Sequence, residues 1–172
     1  MNYVEIYRDL ASKATFGQVE QASKWYVDAE KVALEVARNL DTYLEVGASV
    51  VSAFSPRERW SANVTKAISF SLGEHVPGFK NNMTMANNSL TMGFSALKGM
   101  KTNAFAKAIA GDEQAVVIDV WMLRAVGIEK KTPNQTQYNE LAGAVKKVAF
   151  EFGMTPRAMQ ALIWIVVRGS AE

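Results

Sequence analysis

The chain has 172 residues, no cysteine and a single histidine, His75. The missing cysteine excludes disulfides, thiolate zinc sites, iron–sulfur clusters and cysteine nucleophiles; a single histidine argues against a His-rich metal site and against a Ser–His–Asp triad. With 49% hydrophobic and 21% charged residues the chain is no disordered segment, and a net charge of +2 names no partner by itself.

One domain over residues 1–172 is the expectation at this length. The opening MNYVEIYRDL carries early acids and no long apolar run, so it does not read as a signal peptide. From Gln18 to Leu40, Val19, Ala22, Tyr26, Ala29, Ala33, Val36, Ala37 and Leu40 recur at three- and four-residue steps, with charges between them, which predicts an amphipathic helix. A second helix is expected from about Thr42 to Phe54. At Ser55-Pro56 a third is expected to begin, with Ser55 as cap, Pro56 at the first helical position and Glu58 completing a capping box. It continues through Trp60, Val64, Ala67 and Ile68 to the Gly73 region, where GEHVPGFK reads as a turn and places His75 at the surface.

Asn81 to Met92 is polar with a methionine-rich apolar face and reads as helix. Lys101 to Ala110 reads as another, closed by Gly111 as a left-handed C-cap. The apolar run Ala115 to Ile118 leads to Asp119, an N-cap residue type, and then to a short helix containing Trp121, Leu123, Ala125 and Val126. IEKKTPNQT is the one long solvated loop, followed by helices over Gln137–Phe152 and Pro156–Val167. The segment VVID is too short to build a sheet, so the fold class is all-α, a compact domain of about eight helices. The eight methionines are expected to fill gaps in the core, and Lys130-Lys131 and Lys146-Lys147 to be solvated pairs. The apolar stretch Ala161 to Val167 is too short to span a bilayer, so no membrane partner is expected. Walker and Gly-x-Gly patterns are missing, and neither a cofactor nor a metal is expected.

Two segments carry the chemistry. In LKGMKTNAFAKAIAG, Gly99 sits in a turn that opens a helix, with Lys98 and Lys101 on either side and Thr102 just after. Free backbone N–H groups beside lysines suit phosphate, although solvated lysines on a helix hairpin are the commoner outcome of such spacing. In AVVIDVWMLRAVGI an aspartate ends an apolar run and starts an apolar helix, which on its own is most often a plain helix cap.

Taken together, Gly99-Met100-Lys101-Thr102-Asn103-Ala104 and Val117-Ile118-Asp119-Val120-Trp121-Met122-Leu123-Arg124 resemble the helix–hairpin–helix DNA glycosylase superfamily, in the branch of endonuclease III and the 8-oxoguanine glycosylases. Lys101 lies 18 positions before Asp119, the interval of that family. The likeness extends more weakly over Gly47–Phe70, where the segment containing SAFSPRERWSANVTKA stands in place of the family's apolar helix, polar DNA-probing loop and following helix that ends in Asn-Lys-Ala. Gln137–Arg168, with Gln160-Ala161-x-x-Trp164, is similar to uncharacterised phage-type proteins that share the aspartate motif. The departures are a shortened hairpin with one glycine, Trp121 where the family often has histidine, and no cluster cysteines.

The resemblance implies a compact, cluster-free DNA N-glycosylase with AP-lyase activity, which flips a damaged or modified base out of double-stranded DNA. It implies Lys101 as the amine attacking C1′ and Asp119 as electrostatic and acid–base support. Lys98, Gly99, Thr102, Arg57 and Arg59 would contact DNA, and Trp60, Trp121 and Trp164 would supply wedge and pocket walls. A monomer in bacterial or phage-infected host cytoplasm is the expected setting. The alternatives are a non-catalytic DNA-binding relative and a helical adaptor or inhibitor that binds protein.

Overall fold

The computed structural model describes residues 2–169. These form α1 (Tyr3–Ser12), α2 (Phe16–Asn39), α3 (Leu44–Phe54), α4 (Trp60–Ser71), α5 (Lys80–Met92), a 3-10 turn (Gly93–Ala96), α6 (Met100–Ile109), α7 (Val120–Ala125), α8 (Gln135–Glu151) and α9 (Pro156–Arg168). No strand occurs among the described residues, and the fold class is all-α. The chain divides into two compact units. The first takes the residues up to Tyr26 and those from Asp112 onward; the second is Val27–Gly111. Helix α2 passes from one to the other without a break.

In the first unit α1 packs on α8 and α9, α8 packs on α9, and α7 packs on α9. The seams follow helical spacing: Tyr7 and Ala11 on α1, Leu141, Ala144, Val145 and Val148 on α8, and Met159, Leu162 and Ile163 on α9 are all buried. Helix starts are fixed by side chains. Asn2 accepts from Glu5 N at 3.3 Å, Asn134 from Gln137 N at 2.8 Å and Thr155 from Ala158 N at 3.3 Å, each such cap being worth about 1 kcal/mol. Pro156 takes the first turn of α9, and Gly169 ends that helix in the left-handed conformation at φ 81°.

In the second unit α3 is the hub, packing on α4, α5, α6 and the 3-10 turn. Everything from Gly47 to Phe54 is buried. Gly47 lets α3 come close to α2, because a Cβ there would stand 2.1 Å from the Ala33 carbonyl oxygen. Ser49 and Ser52, both fully buried, spend their hydroxyls on carbonyl oxygens of Glu45 and Thr102, at 2.7 Å each. Small polar residues thereby enter a close-packed seam without an unmet hydrogen bond.

Three expectations need correction. The capping box at Ser55 does not form. Ser55 instead closes α3 with right-handed helical dihedrals (φ −70°, ψ −27°), and its buried hydroxyl has no partner. Residues Ser55 to Glu58 make a turn closed by Glu58 N to Ser55 O at 3.3 Å, with Arg57 at φ 65°. Proline suits the second position of a turn as well as it suits a first helical turn. Glu58 pairs with Lys66, and α4 begins only at Trp60. Secondly, the chain has a helix, α1, ahead of those expected; Asn2 caps it and Tyr7 and Ala11 mark its buried face. Thirdly, of the methionines only Met122 and Met159 are buried; Met83, Met85, Met100 and Met154 are half-buried and Met92 is exposed. Met1 lies outside the described residues.

Candidate functional site around Asp119

Asp119 belongs to the first unit. The run Val116–Ile118 reaches it as buried chain that belongs to no helix or strand. Its polar backbone is served instead by Tyr138 on α8, whose hydroxyl donates to Val116 O at 2.8 Å and accepts from Ile118 N at 3.3 Å. A single phenol thus satisfies two backbone groups that would be orphaned in an apolar core.

Asp119 is the extended N-cap of α7, as the sequence indicates. Oδ1 accepts from Trp121 N at 2.9 Å and Met122 N at 3.0 Å. Oδ2 accepts from the indole Nε1–H of Trp164, on α9, at 3.1 Å. The carboxylate is half-buried and held by three donors from two helices. Two of these are the otherwise unpaired N–H groups of a helix start, where negative charge is favoured.

Around it stand rings and guanidinium groups. Trp121 and Trp164 are half-buried. The guanidinium of Arg124 lies 4.9 Å from the Trp121 ring centre, and that of Arg168 lies 4.4 Å from Trp164 and 5.6 Å from Trp121. Trp25, on the opening part of α2, meets Trp164 edge-on with centroids 6.0 Å apart. Three buried tyrosines complete the setting. Tyr7 donates to Met122 O at 3.0 Å, and Tyr26 to Gln160 Oε1 at 2.6 Å. Burial raises the hydroxyls of Tyr7 and Tyr26 above the ordinary phenol range, and the negative charge of Asp119 raises both further. Tyr138 is pushed up to about 12, by burial first and by Asp119 in addition, against the opposing pull of its hydrogen bond with Ile118.

The other candidates lie in the second unit. Lys101 is half-buried on the first turn of α6. Lys98 and Gly99 are exposed just before it, Gly99 being an N-cap with no side-chain bond. Thr102 is buried and donates its hydroxyl to Gly99 O at 3.0 Å, and its carbonyl accepts from Ser52, so it braces the start of α6. Arg57 and Arg59 are exposed, with Arg57 stacked 5.4 Å over the Phe79 ring. Trp60 is half-buried against Phe105, ring centres 6.4 Å apart. His75 is exposed.

Tyr7, Tyr26, Tyr138, Arg124 and Arg168 are not among the site residues expected from the sequence. Their signal was local: Trp121 and Arg124 stand three apart, and Trp164 and Arg168 four apart, spacings that put ring and guanidinium on one helix face. Among the described residues no cluster of three or more His, Asp or Glu side chains is arranged to hold a metal ion, and no helix is long and apolar enough to cross a membrane.

The model of a family of unknown function, DUF7178, matches residues 2–171, and the chain belongs to that family. No curated protein and no solved structure matches the chain.

Proposed function

We propose that this protein is a DNA N-glycosylase with lyase activity, acting as a monomer on duplex DNA that carries a modified or damaged base, in bacterial or phage-infected host cytoplasm. The observation that carries the reading is the half-buried carboxylate of Asp119, fixed by Trp121 N, Met122 N and Trp164 Nε1 at the start of α7. Loss of a base from deoxyribose develops positive charge on the sugar. A carboxylate already oriented, with no reorganisation left to make, stabilises that charge most effectively. Lys101 is the amine of the reading: its Nζ lone pair forms a bond to C1′ as the bond from C1′ to the base breaks, and the base leaves with that electron pair and gains a proton. Loss of a proton from nitrogen and opening of the sugar ring then give the Schiff base from which the strand is cut by elimination.

The test is a panel of synthetic duplexes, each with one modified base, incubated with the protein and borohydride. The expected result is a covalent adduct with one duplex of the panel. It should be lost in Lys101→Ala while DNA binding is kept, and excision should fall about a hundredfold in Asp119→Asn. Absence of excision and of adduct across the panel sinks the reading.

A second reading, a DNA-binding relative without turnover, is favoured by the same three donors, since a carboxylate used fully as a helix cap has a structural reason to be there. Tight, salt-dependent DNA binding with no excision is its signature.

A further inference from the structure

The junction between α3 and α4 stands against its own local preferences at four points. Ser55 precedes a proline yet holds right-handed helical dihedrals (φ −70°, ψ −27°), which crowd the ring of Pro56. Its buried hydroxyl has no partner among the described residues. Arg57 sits at φ 65°, a conformation that favours glycine or asparagine. The first turn of α4, with Arg59 as cap, has no side-chain cap bond, and its ladder opens with Asn63 N to Arg59 O at 2.9 Å. Three contacts from outside the turn hold this form. Asn82 Nδ2 donates to Pro56 O at 3.3 Å, the guanidinium of Arg57 lies 5.4 Å from the Phe79 ring centre, and Lys66 pairs with the shielded carboxylate of Glu58.

We propose that this junction is a two-state switch, in which α4 lengthens by one turn and starts at Ser55. In the longer form Ser55 takes extended dihedrals ahead of Pro56, and its hydroxyl accepts from Glu58 N. Pro56 fills the first helical position. The Glu58 carboxylate leaves Lys66 and turns back to Ser55 N, which in the shorter form donates to Ser52 O. Arg57 leaves both the Phe79 ring and the left-handed region. All four local preferences are then met, and the three outside contacts are given up. Ser55-Pro56-Arg57-Glu58 thus encodes both forms, and the choice between them is made by Lys66 on α4, by Phe79 as the cap of α5 and by Asn82 in its first turn. A ligand selects the longer helix to the extent that it binds better once those three are released, and the selection moves Arg57 with it. The switch stands independently of the glycosylase chemistry.

The experiment follows amide hydrogen exchange of the full chain by nuclear magnetic resonance. In the longer helix Ser61 N and Ala62 N donate to the carbonyl oxygens of Arg57 and Glu58, so these two amides report the switch. Lys66→Met frees Glu58 for the capping box and should slow their exchange at least about fivefold. Glu58→Gln, which keeps a residue the box accepts and loses the charge, should slow the same amides. Adding Ser55→Ala to Lys66→Met should reverse most of the slowing, as should adding Arg57→Gly, which suits the left-handed turn. Ser55→Ala alone should leave both amides unchanged, because the hydroxyl has no partner in the shorter form. Circular dichroism shows which variants fold. Unchanged exchange in whichever of Lys66→Met and Glu58→Gln folds overturns the proposal, as does slowing that survives both Ser55→Ala and Arg57→Gly. Failure of both Lys66→Met and Glu58→Gln to fold overturns it too, since the longer form is then no stable alternative.

Discussion

The two units solve the same problem, closing a helical core, in opposite ways. In the first, bulky polar groups are taken inside and each is given a named partner: Tyr7 the carbonyl of Met122, Tyr26 the amide oxygen of Gln160, Tyr138 the backbone of Val116 and Ile118. In the second, helices approach through small residues, with Gly47 against Ala33 and with Ser49 and Ser52 turned onto carbonyl oxygens. The difference predicts what each tolerates. The first unit is most exposed to the deletion of a polar group, which leaves a buried partner unsatisfied; the second is most exposed to added volume, because helices meeting through small residues have no slack.

The largest effect should therefore come from adding one methyl group in the second unit. Gly47→Ala places a Cβ 2.1 Å from the Ala33 oxygen, so helices must move apart. A loss of about 3 kcal/mol is expected in chemical denaturation followed by circular dichroism. A stability within error of the parent chain would show that α2 and α3 can separate at little cost. In the first unit Asp119→Ala removes the α7 cap and leaves the Trp164 N–H without its acceptor, costing about 2 kcal/mol. Asp119→Asn keeps an oxygen for the cap and should cost about 1 kcal/mol. That gap separates the fold's need for the cap from any chemical need for the charge, which excision would report. An equal loss in both variants would contradict the cap geometry.

The third effect is silent at neutral pH. Tyr7, Tyr26 and Tyr138 have hydroxyls raised in the fold, so the folded chain holds protons that the unfolded chain releases near pH 10. Their contribution to stability is complete below about pH 10 and is lost as pH rises toward the folded values, about 12 for Tyr138. Phenolate absorbance and tryptophan fluorescence should change together in that window. Trp25, Trp121 and Trp164 all report on the first unit, and Trp60 on the second. Ionisation of all five tyrosines near pH 10 without loss of structure would remove the buried-phenol account.

How much of this could be read from the sequence depends on how local each cause is. Helices α2, α5, α6, α8 and α9 announce themselves by apolar steps of three and four, and the cap roles of Asp119 and Thr155 by residue type and position. The start of α4 misleads because Ser-Pro-x-Glu fits both a capping box and a turn. The outcome is decided by Lys66 taking Glu58 and by Arg57 accepting a left-handed conformation, neither visible locally. The Asp119 motif is legible, whereas the third donor, Trp164, lies 45 residues away in sequence and appears only when α7 and α9 pack. The phenols of Tyr7 and Tyr26, similarly, find partners 115 and 134 positions on.

The passage of α2 from one unit to the other, with the return at Gly111, has a consequence for the order in which the molecule is made. The second unit is a single stretch of chain, complete once Gly111 has left the ribosome. The first unit is interrupted: its opening helix is synthesised earliest, yet Tyr7 and Tyr26 wait for Met122 and Gln160, on α7 and α9, before their hydroxyls are satisfied. In a vectorially emerging chain the part that begins first therefore finishes last. Asp119 acquires its indole donor only when α9 arrives, so a chain cut short before α9 keeps the two α7 backbone donors to Oδ1 and loses the one donor to Oδ2.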